Sequence, residues 1–269
     1  MSEQASWVPA DLDLDKPSAA RLYDHLLGGA HNFAADRQLA GEFLKALPSA
    51  RDVARLNRSF LRRAVEFLAR RGVRQFLDVG SGIPTAGNVH EIAQHQDPDS
   101  RVVYVDHDAV AVAHSQLMLA GDDRATIVRA DMREPESIVA HPETRRLLDF
   151  AEPIGLIMAG VVHFVPLEQD APAVLAGYRE ALAPGSHLAL SHFTADISPA
   201  EMAQVVQVMQ RSADPVQPRT REQVLELFTG FDLVEPGLVG TALWRPDDPE
   251  RAAEEPGGSQ IYAGVGRLR

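Results

Sequence analysis

At 269 residues, with 45% hydrophobic and 24% charged residues, the chain has the composition of a folded globular protein and the length for one α/β domain with additions. Lys and Arg number 26 against 38 Asp and Glu, a formal charge of −12, so long-range electrostatics disfavour a nucleic-acid backbone or an anionic membrane and point to small-molecule chemistry. There is no cysteine, which excludes disulfides, thiolate metal sites and cysteine nucleophiles; with no apolar span of transmembrane length and no signal-like pattern at Met1-Ser2-Glu3-Gln4, a cytoplasmic protein without a metal site is expected.

Residues up to about Asp15, where acidic positions alternate with Leu12 and Leu14 after Pro9, read as an extended lead-in. From Ser18 the pattern is helical, with Leu22, His25 and Leu26 on one side and Gly28-Gly29 as its stop. Tyr23-Asp24 before that break and Ala30-His31-Asn32-Phe33 after it suit either a mobile cover over a ligand or an ordinary helix cap with its connecting turn. Helices over about 35–47 and 51–71 follow, separated by Pro48, the second with apolar Val53, Leu56, Phe60, Leu61, Val65 and Leu68. Its arginines, including Arg58, Arg62 and Arg63, read as a solvated face that pairs with acidic partners rather than a nucleic-acid contact.

Phe76-Leu77-Asp78-Val79 is an apolar run that stops at Gly80-Ser81-Gly82, as a buried parallel strand does when it gives way to a turn before a helix. Gly80 and Gly82 lack the Cβ atoms that would keep a ligand from the backbone, and a helix start would supply unpaired N–H groups; the alternative is an ordinary strand–helix turn. Pro84 and Thr85 stand where a Gly-x-Gly-x-x-Gly pattern would finish, which favours a ligand without a pyrophosphate. Asp78 could bind a cationic ligand group through water, or merely fix the turn.

After a helix over about 86–96, Val102–Val105 reads as a second strand ending at Asp106, 24 residues past Gly82, where an acidic strand end accepts hydrogen bonds from ribose hydroxyls. Asp108 caps the helix of Val110 to Met118, Thr126–Val128 leads to Ala130-Asp131-Met132, and Ile154–Gly160 makes a fourth strand. A helix over about 169–182, a strand at His187–His192, helices over 199–212 and 220–228, and short strands at 231–234 and 261–265 complete the reading, with a Pro-, Asp- and Glu-rich loop across 245–258. Alternating strands and helices predict an α/β fold with a mostly parallel sheet, helices on both faces, and ligands beyond the carboxyl ends of the strands.

Taken in order, Phe76-Leu77-Asp78-Val79-Gly80-Ser81-Gly82, Val105-Asp106-His107-Asp108 and Arg129-Ala130-Asp131-Met132 resemble the motifs of Rossmann-like S-adenosylmethionine-dependent methyltransferases. More narrowly, the 18–33 run together with Phe76 to Thr85 resembles an actinobacterial family of that superfamily, over nearly the whole chain; Pro84 departs from the small residue common there in wider methyltransferase motifs. The resemblance implies a doubly wound Rossmann-like core over 74–269 and S-adenosyl-L-methionine as cofactor; the charge balance favours a small-molecule acceptor, with a protein acceptor left open. The resemblance places Gly80, Ser81 and Gly82 along the aminoacyl and ribose portion, Asp106 on the ribose hydroxyls, His107 beside the adenine, Asp131 and the Met132 backbone on the adenine edge, and the loop from Ala159 and Gly160 to Phe164 by the sulfonium.

A helical extension over 1–73 would close the pocket, with Tyr23, Gly28 and Asn32 contacting the aminoacyl moiety. Methyl transfer runs on alignment against an activated leaving group, so a base is needed only for a protonated acceptor. His163, His192 and His31 are candidate bases, each set against a structural or solvent-exposed role. A nicotinamide oxidoreductase and a non-catalytic cofactor-binding regulator are the alternatives, and the oligomeric state is left open, with a homodimer as one option.

Overall fold

The computed structural model describes residues 13–84, 87–254 and 260–269; the lead-in up to residue 12, Thr85 and the 255–258 end of the acidic loop lie outside the described residues. Five strands, β1 (Gln75–Val79), β2 (Arg101–Asp106), β3 (Ala125–Arg129), β4 (Ile154–Ala159) and β5 (His187–Phe193), run parallel in the order β3-β2-β1-β4-β5. β6 (Phe231–Leu233), the two-residue β7 (Val239–Gly240) and β8 (Ile261–Leu268) complete the sheet, with β8 antiparallel to β5, β6 and β7. The central strands are apolar runs rather than alternating ones because helices cover both faces.

Eleven helices are assigned among the described residues: α1 (Ala19–Leu26), α2 (Ala34–Ala46), α3 (Ala50–Arg70), α4 (Val89–Gln96), α5 (Ala109–Met118), α6 (Pro135–Ala140), α7 (Pro142–Leu147), α8 (Ala171–Ala181), α9 (Pro199–Met209), α10 (Arg221–Glu226) and α11 (Pro249–Glu254). Successive strand residues face opposite layers. Leu77, Val79, Val105 and Met158 pack with Ile138, Leu175, Tyr178 and Val224 of α6, α8 and α10. Phe76, Tyr104, Ile157 and Val265 pack with Phe60, Leu61, Val65 and Leu68 of α3, and each of these fully buried side chains stabilises the fold by about 1.5–3 kcal/mol. A third cluster joins α1, α2 and α9 through Leu22, Leu26, Phe43 and Met202.

The differences from the sequence reading have local causes. α3 forms the helical layer on one sheet face, so it lies with the residues of the 74–269 core although it falls within 1–73. α4 begins at Val89, because the Glu91 carboxylate gathers the backbone N–H groups of Gly87 and Asn88 at its start; among the described residues no helix N-terminus adjoins the two glycines. α6 and α7 were missed, although each opens with proline at its first position. β8 runs past its expected end because Gly266 makes room for Phe231, whose Cβ lies 2.8 Å from where a side chain at 266 would begin. The arginine face of α3 is only partly solvated: Arg63 is buried, with Nε donating to the Trp244 carbonyl (2.8 Å) and Nη2 to that of Thr241 (2.7 Å).

Candidate functional site

The strand order reverses between β1 and β4, and the pocket opens there, at the carboxyl ends of the strands. Gly80 takes φ +72° and its N–H meets the Val105 carbonyl at 2.8 Å; a Cβ at Gly80 would stand 2.1 Å from Val161, so only glycine lets this turn lie against the β4 loop. Ser81 follows with its hydroxyl shielded from solvent and unpaired among the described residues. The Gly82 N–H donates to Asp106 Oδ2 (2.8 Å) and the Asp108 N–H to Asp106 Oδ1 (2.8 Å), which fixes the direction of this carboxylate at the pocket wall. Burial raises the Asp106 pKa to about 6 against those two bonds, which lower it.

Asp78, 5% exposed, faces the α3 side of β1 and is pushed up to about 7, first by burial and then by Asp106, with Arg58 of α3 opposing the rise. Arg58 lines the same pocket and is held by a bond from Nη2 to the Gly87 carbonyl (3.0 Å). One turn of α3 places Asn57 beside it: Asn57 Oδ1 accepts from the Ser191 hydroxyl (2.6 Å) and Nδ2 donates to the Tyr23 hydroxyl (3.3 Å), which itself donates to the Ala54 carbonyl (3.0 Å). Tyr23 thus lines the pocket through a network tying α1 to α3 and β5. Ala159 and Gly160 line it from β4, with the Gly160 N–H on the Ser191 carbonyl (3.1 Å).

His107 also lines the pocket, and its Nε2 pairs with Asp214 Oδ1 at 3.1 Å; that hydrogen bond is the main cause that lifts its pKa to about 9. Asp214 Oδ2 accepts from the Ala19 N–H (2.9 Å), so the pair ties β2 to the start of α1. Met132 lines the pocket while its carbonyl accepts from Tyr178 (2.7 Å). Asp131 does not: its carboxylate turns away to Arg133, with Arg133 Nε at 2.9 and 3.0 Å from its two oxygens, and that pairing holds its pKa down.

Of the candidate bases, His163 lines the pocket from a 3-10 turn, Val162–Phe164, is 2% exposed and is held neutral by burial together with His192 and Arg219. His192 is a correction: Nδ1 donates to the Phe193 carbonyl (2.7 Å), Nε2 accepts from Arg219 (3.0 Å), and burial drives its pKa to about 3, leaving neither nitrogen for a substrate. Arg219 also donates to the carbonyls of Val162 (3.3 Å) and Val165 (3.2 Å), so this buried set holds the turn that carries His163. His31 lies outside the pocket, against His114, with ring centroids 3.9 Å apart and ring planes tilted by 52°. Gly28 and Asn32 are corrections too. Gly28 is the exposed left-handed residue (φ +85°) that ends α1, and the Asn32 amide is spent on Asp24 Oδ2 (2.8 Å) and the Gly29 carbonyl (3.0 Å).

Sequence reasoning missed Asn57, Arg58 and Asp214. A signal existed only for the first, an amide on the buried stripe of α3 between Val53 and Phe60.

The model of a family described as S-adenosyl methyltransferase matches residues 5–269. The 1.95 Å crystal structure of a candidate methyltransferase from Thermobifida fusca YX is 42% identical, with a TM-score of 0.91 and coverage of 98% of this chain and 100% of that one. A DUF574 family protein from Streptomyces avermitilis MA-4680 is 38% identical, with a TM-score of 0.90 over 96% of this chain and 100% of that one. An N-methyltransferase from Bradyrhizobium japonicum WM9, crystallised with S-adenosyl-L-homocysteine, shares the fold at 12% identity, a TM-score of 0.51 and coverage of 92% and 98%. No curated protein matches the chain. The chain belongs to the S-adenosyl methyltransferase family, with S-adenosylmethionine as cofactor, which sets the nicotinamide alternative aside.

Proposed function

We propose that this member of the S-adenosyl methyltransferase family transfers a methyl group to a small-molecule acceptor enclosed beneath α1 and α2. The observation that carries the reading is one continuous pocket, running from Gly80, Gly82 and Asp106 to an apolar end roofed by α1, α2 and α9. An enclosed end of this kind suits a small molecule better than a side chain on a folded protein.

The residues present fit the cofactor. The fixed Asp106 carboxylate keeps lone pairs free for ribose hydroxyls, Gly82, with open space where a Cβ would stand, lets a ligand approach the backbone, and the Ser81 hydroxyl has a bond still to make. Asp78 and Arg58 offer opposite charges, suited to the ammonium and carboxylate of an aminoacyl group. When bound, S-adenosylmethionine supplies a methyl group on a sulfonium, whose carbon–sulfur bond breaks with its electron pair going to sulfur as the acceptor's lone pair bonds to carbon. The chain's part is then alignment and exclusion of water, with Tyr23 and Asn57 bracing the roof and His163 held neutral beside the reacting region.

Methyl-tritiated S-adenosylmethionine, incubated with the protein and either a low-molecular-weight extract or a dialysed protein extract, tests the acceptor class. Label in the small-molecule fraction is expected; label confined to protein refutes it.

A further inference from the structure

The apolar end of the pocket selects for charge. Its walls include Leu26 of α1, Phe43 of α2, Val53 of α3, Met209 at the end of α9, Val216 and Ile261, all buried. The charged residues that line the pocket are engaged elsewhere: Arg58 donates to the Gly87 carbonyl, Asp106 is held by two backbone N–H groups, and His107 is paired with Asp214. A carboxylate, phosphate or ammonium placed at this end would meet no counter-charge from those residues, and an unpaired charge is costly in such surroundings.

One polar group is free there. The Phe193 N–H donates to His163 Nδ1 (3.4 Å), which assigns the ring proton to Nε2, and no hydrogen bond joins Nε2 to another of the described residues. His163 is almost wholly buried, and the rings of Phe164 and Phe193 stand 4.4 and 4.8 Å from it, centroid to centroid, so this donor sits in an aromatic wall.

Building on the reading above, we propose that this end is the acceptor chamber and that it takes an uncharged, largely apolar aromatic molecule, oriented by a hydrogen bond from His163 Nε2–H to a lone pair on its oxygen or nitrogen. The chamber accounts for both observations, an apolar wall whose lining charges are held elsewhere and a pocket-lining ring donor with no hydrogen bond to the described residues.

The test uses the intact protein saturated with S-adenosylhomocysteine, whose binding is first measured by calorimetry. It is then titrated with β-naphthol, β-naphthoate and β-naphthylmethylammonium, matched in size and different in charge, following naphthalene fluorescence. Naphthol should bind at least tenfold more tightly than either ion, and His163→Phe should weaken naphthol about fivefold, as expected for one lost hydrogen bond, with S-adenosylhomocysteine affinity unchanged. If that variant does not fold, His163→Gln, which keeps a donor, and Phe164→Ala, at a half-buried position, give the same readout: retained naphthol binding for the first and weaker binding for the second. Equal or tighter binding of either ion, failure of naphthol to bind the loaded protein, or indifference of naphthol to His163→Phe would overturn the chamber while leaving the cofactor assignment standing. Failure of S-adenosylhomocysteine itself to bind would overturn the cofactor reading and the chamber with it.

Discussion

Arg58→Met keeps most of the apolar stem of the side chain and removes the guanidinium, which lines the same pocket as Asp78 and whose charge lowers the Asp78 pKa. Two effects follow, and both reduce affinity for a ligand with an aminoacyl group. The ligand carboxylate loses a charge-assisted hydrogen bond, worth about 1.5–3 kcal/mol or about 10- to 150-fold in affinity. Asp78 also loses the positive field that opposes the effect of its burial, so its pKa rises above the value of about 7 that it has beside Arg58, and near neutral pH it is protonated more often and serves the ligand ammonium less well. Arg58→Lys keeps the charge but not the planar fork, so its loss should fall between the parent and the methionine variant. Calorimetric titration with S-adenosylhomocysteine reads the total, and methylthioadenosine, which lacks the aminoacyl group, isolates the cause: its affinity should change less than about twofold. Unchanged S-adenosylhomocysteine affinity, or equal losses for the two ligands, would refute the assignment of Arg58 to the aminoacyl end.

Asp106→Ala should weaken S-adenosylhomocysteine at least tenfold, a loss of about 1.4 kcal/mol or more, because the carboxylate that would take the ribose hydroxyls is gone; a folded variant that binds as tightly as the parent, by the same calorimetry, would exclude that role. Asp78 has a folded-state pKa raised from 3.8 to about 7, so its favourable contribution is present at acid pH and is lost as pH rises through that window. In the ligand-free protein, Asp78→Asn should therefore gain stability over the parent as pH rises from about 4 to about 7, by about 1.4 kcal/mol per pH unit at most, followed as the difference in Tm; a difference that does not change with pH would contradict it. Arg21→Met should cost about 3–5 kcal/mol in urea denaturation, since it strands the carboxylates of Asp36 and Asp108, which Arg21 reaches at 3.0 and 3.3 Å while itself only 2% exposed. A loss below 1 kcal/mol, the range of an exposed pair, would show that this buried junction of α1, α2 and α5 is not what holds the roof.

The strands were legible because burial on both faces writes each as a largely apolar run, and each ends at a residue with a job: Gly80 after Val79, Asp106 after Val105, Gly160 after Ala159. The site's sheet side could be read for the same reason, since strand ends carry their neighbours to a place set by topology. The helical side could not. Arg58 is one of several arginines on α3, and only the packing of that helix across β1 brings it to the pocket that Asp78 also lines, while Arg63 goes to the carbonyls of Thr241 and Trp244. Asp214 lies in a loop without periodicity, and its meeting with His107 depends on where α9 ends. His192 and Asn32 looked like site residues because residue type alone does not reveal that Arg219 and Asp24 already satisfy them. Asp131 sits at the expected strand end, but Arg133, two residues on, captures its carboxylate.

The measurement that tests the central claim most directly is the structure of the protein crystallised with S-adenosylhomocysteine. The account predicts one ligand across Gly80, Ser81 and Gly82, its ribose hydroxyls on Asp106, its aminoacyl group between Asp78 and Arg58, and its sulfur toward the apolar chamber beside His163. A ligand bound elsewhere on the chain, or one whose ribose leaves Asp106 unengaged, would contradict it.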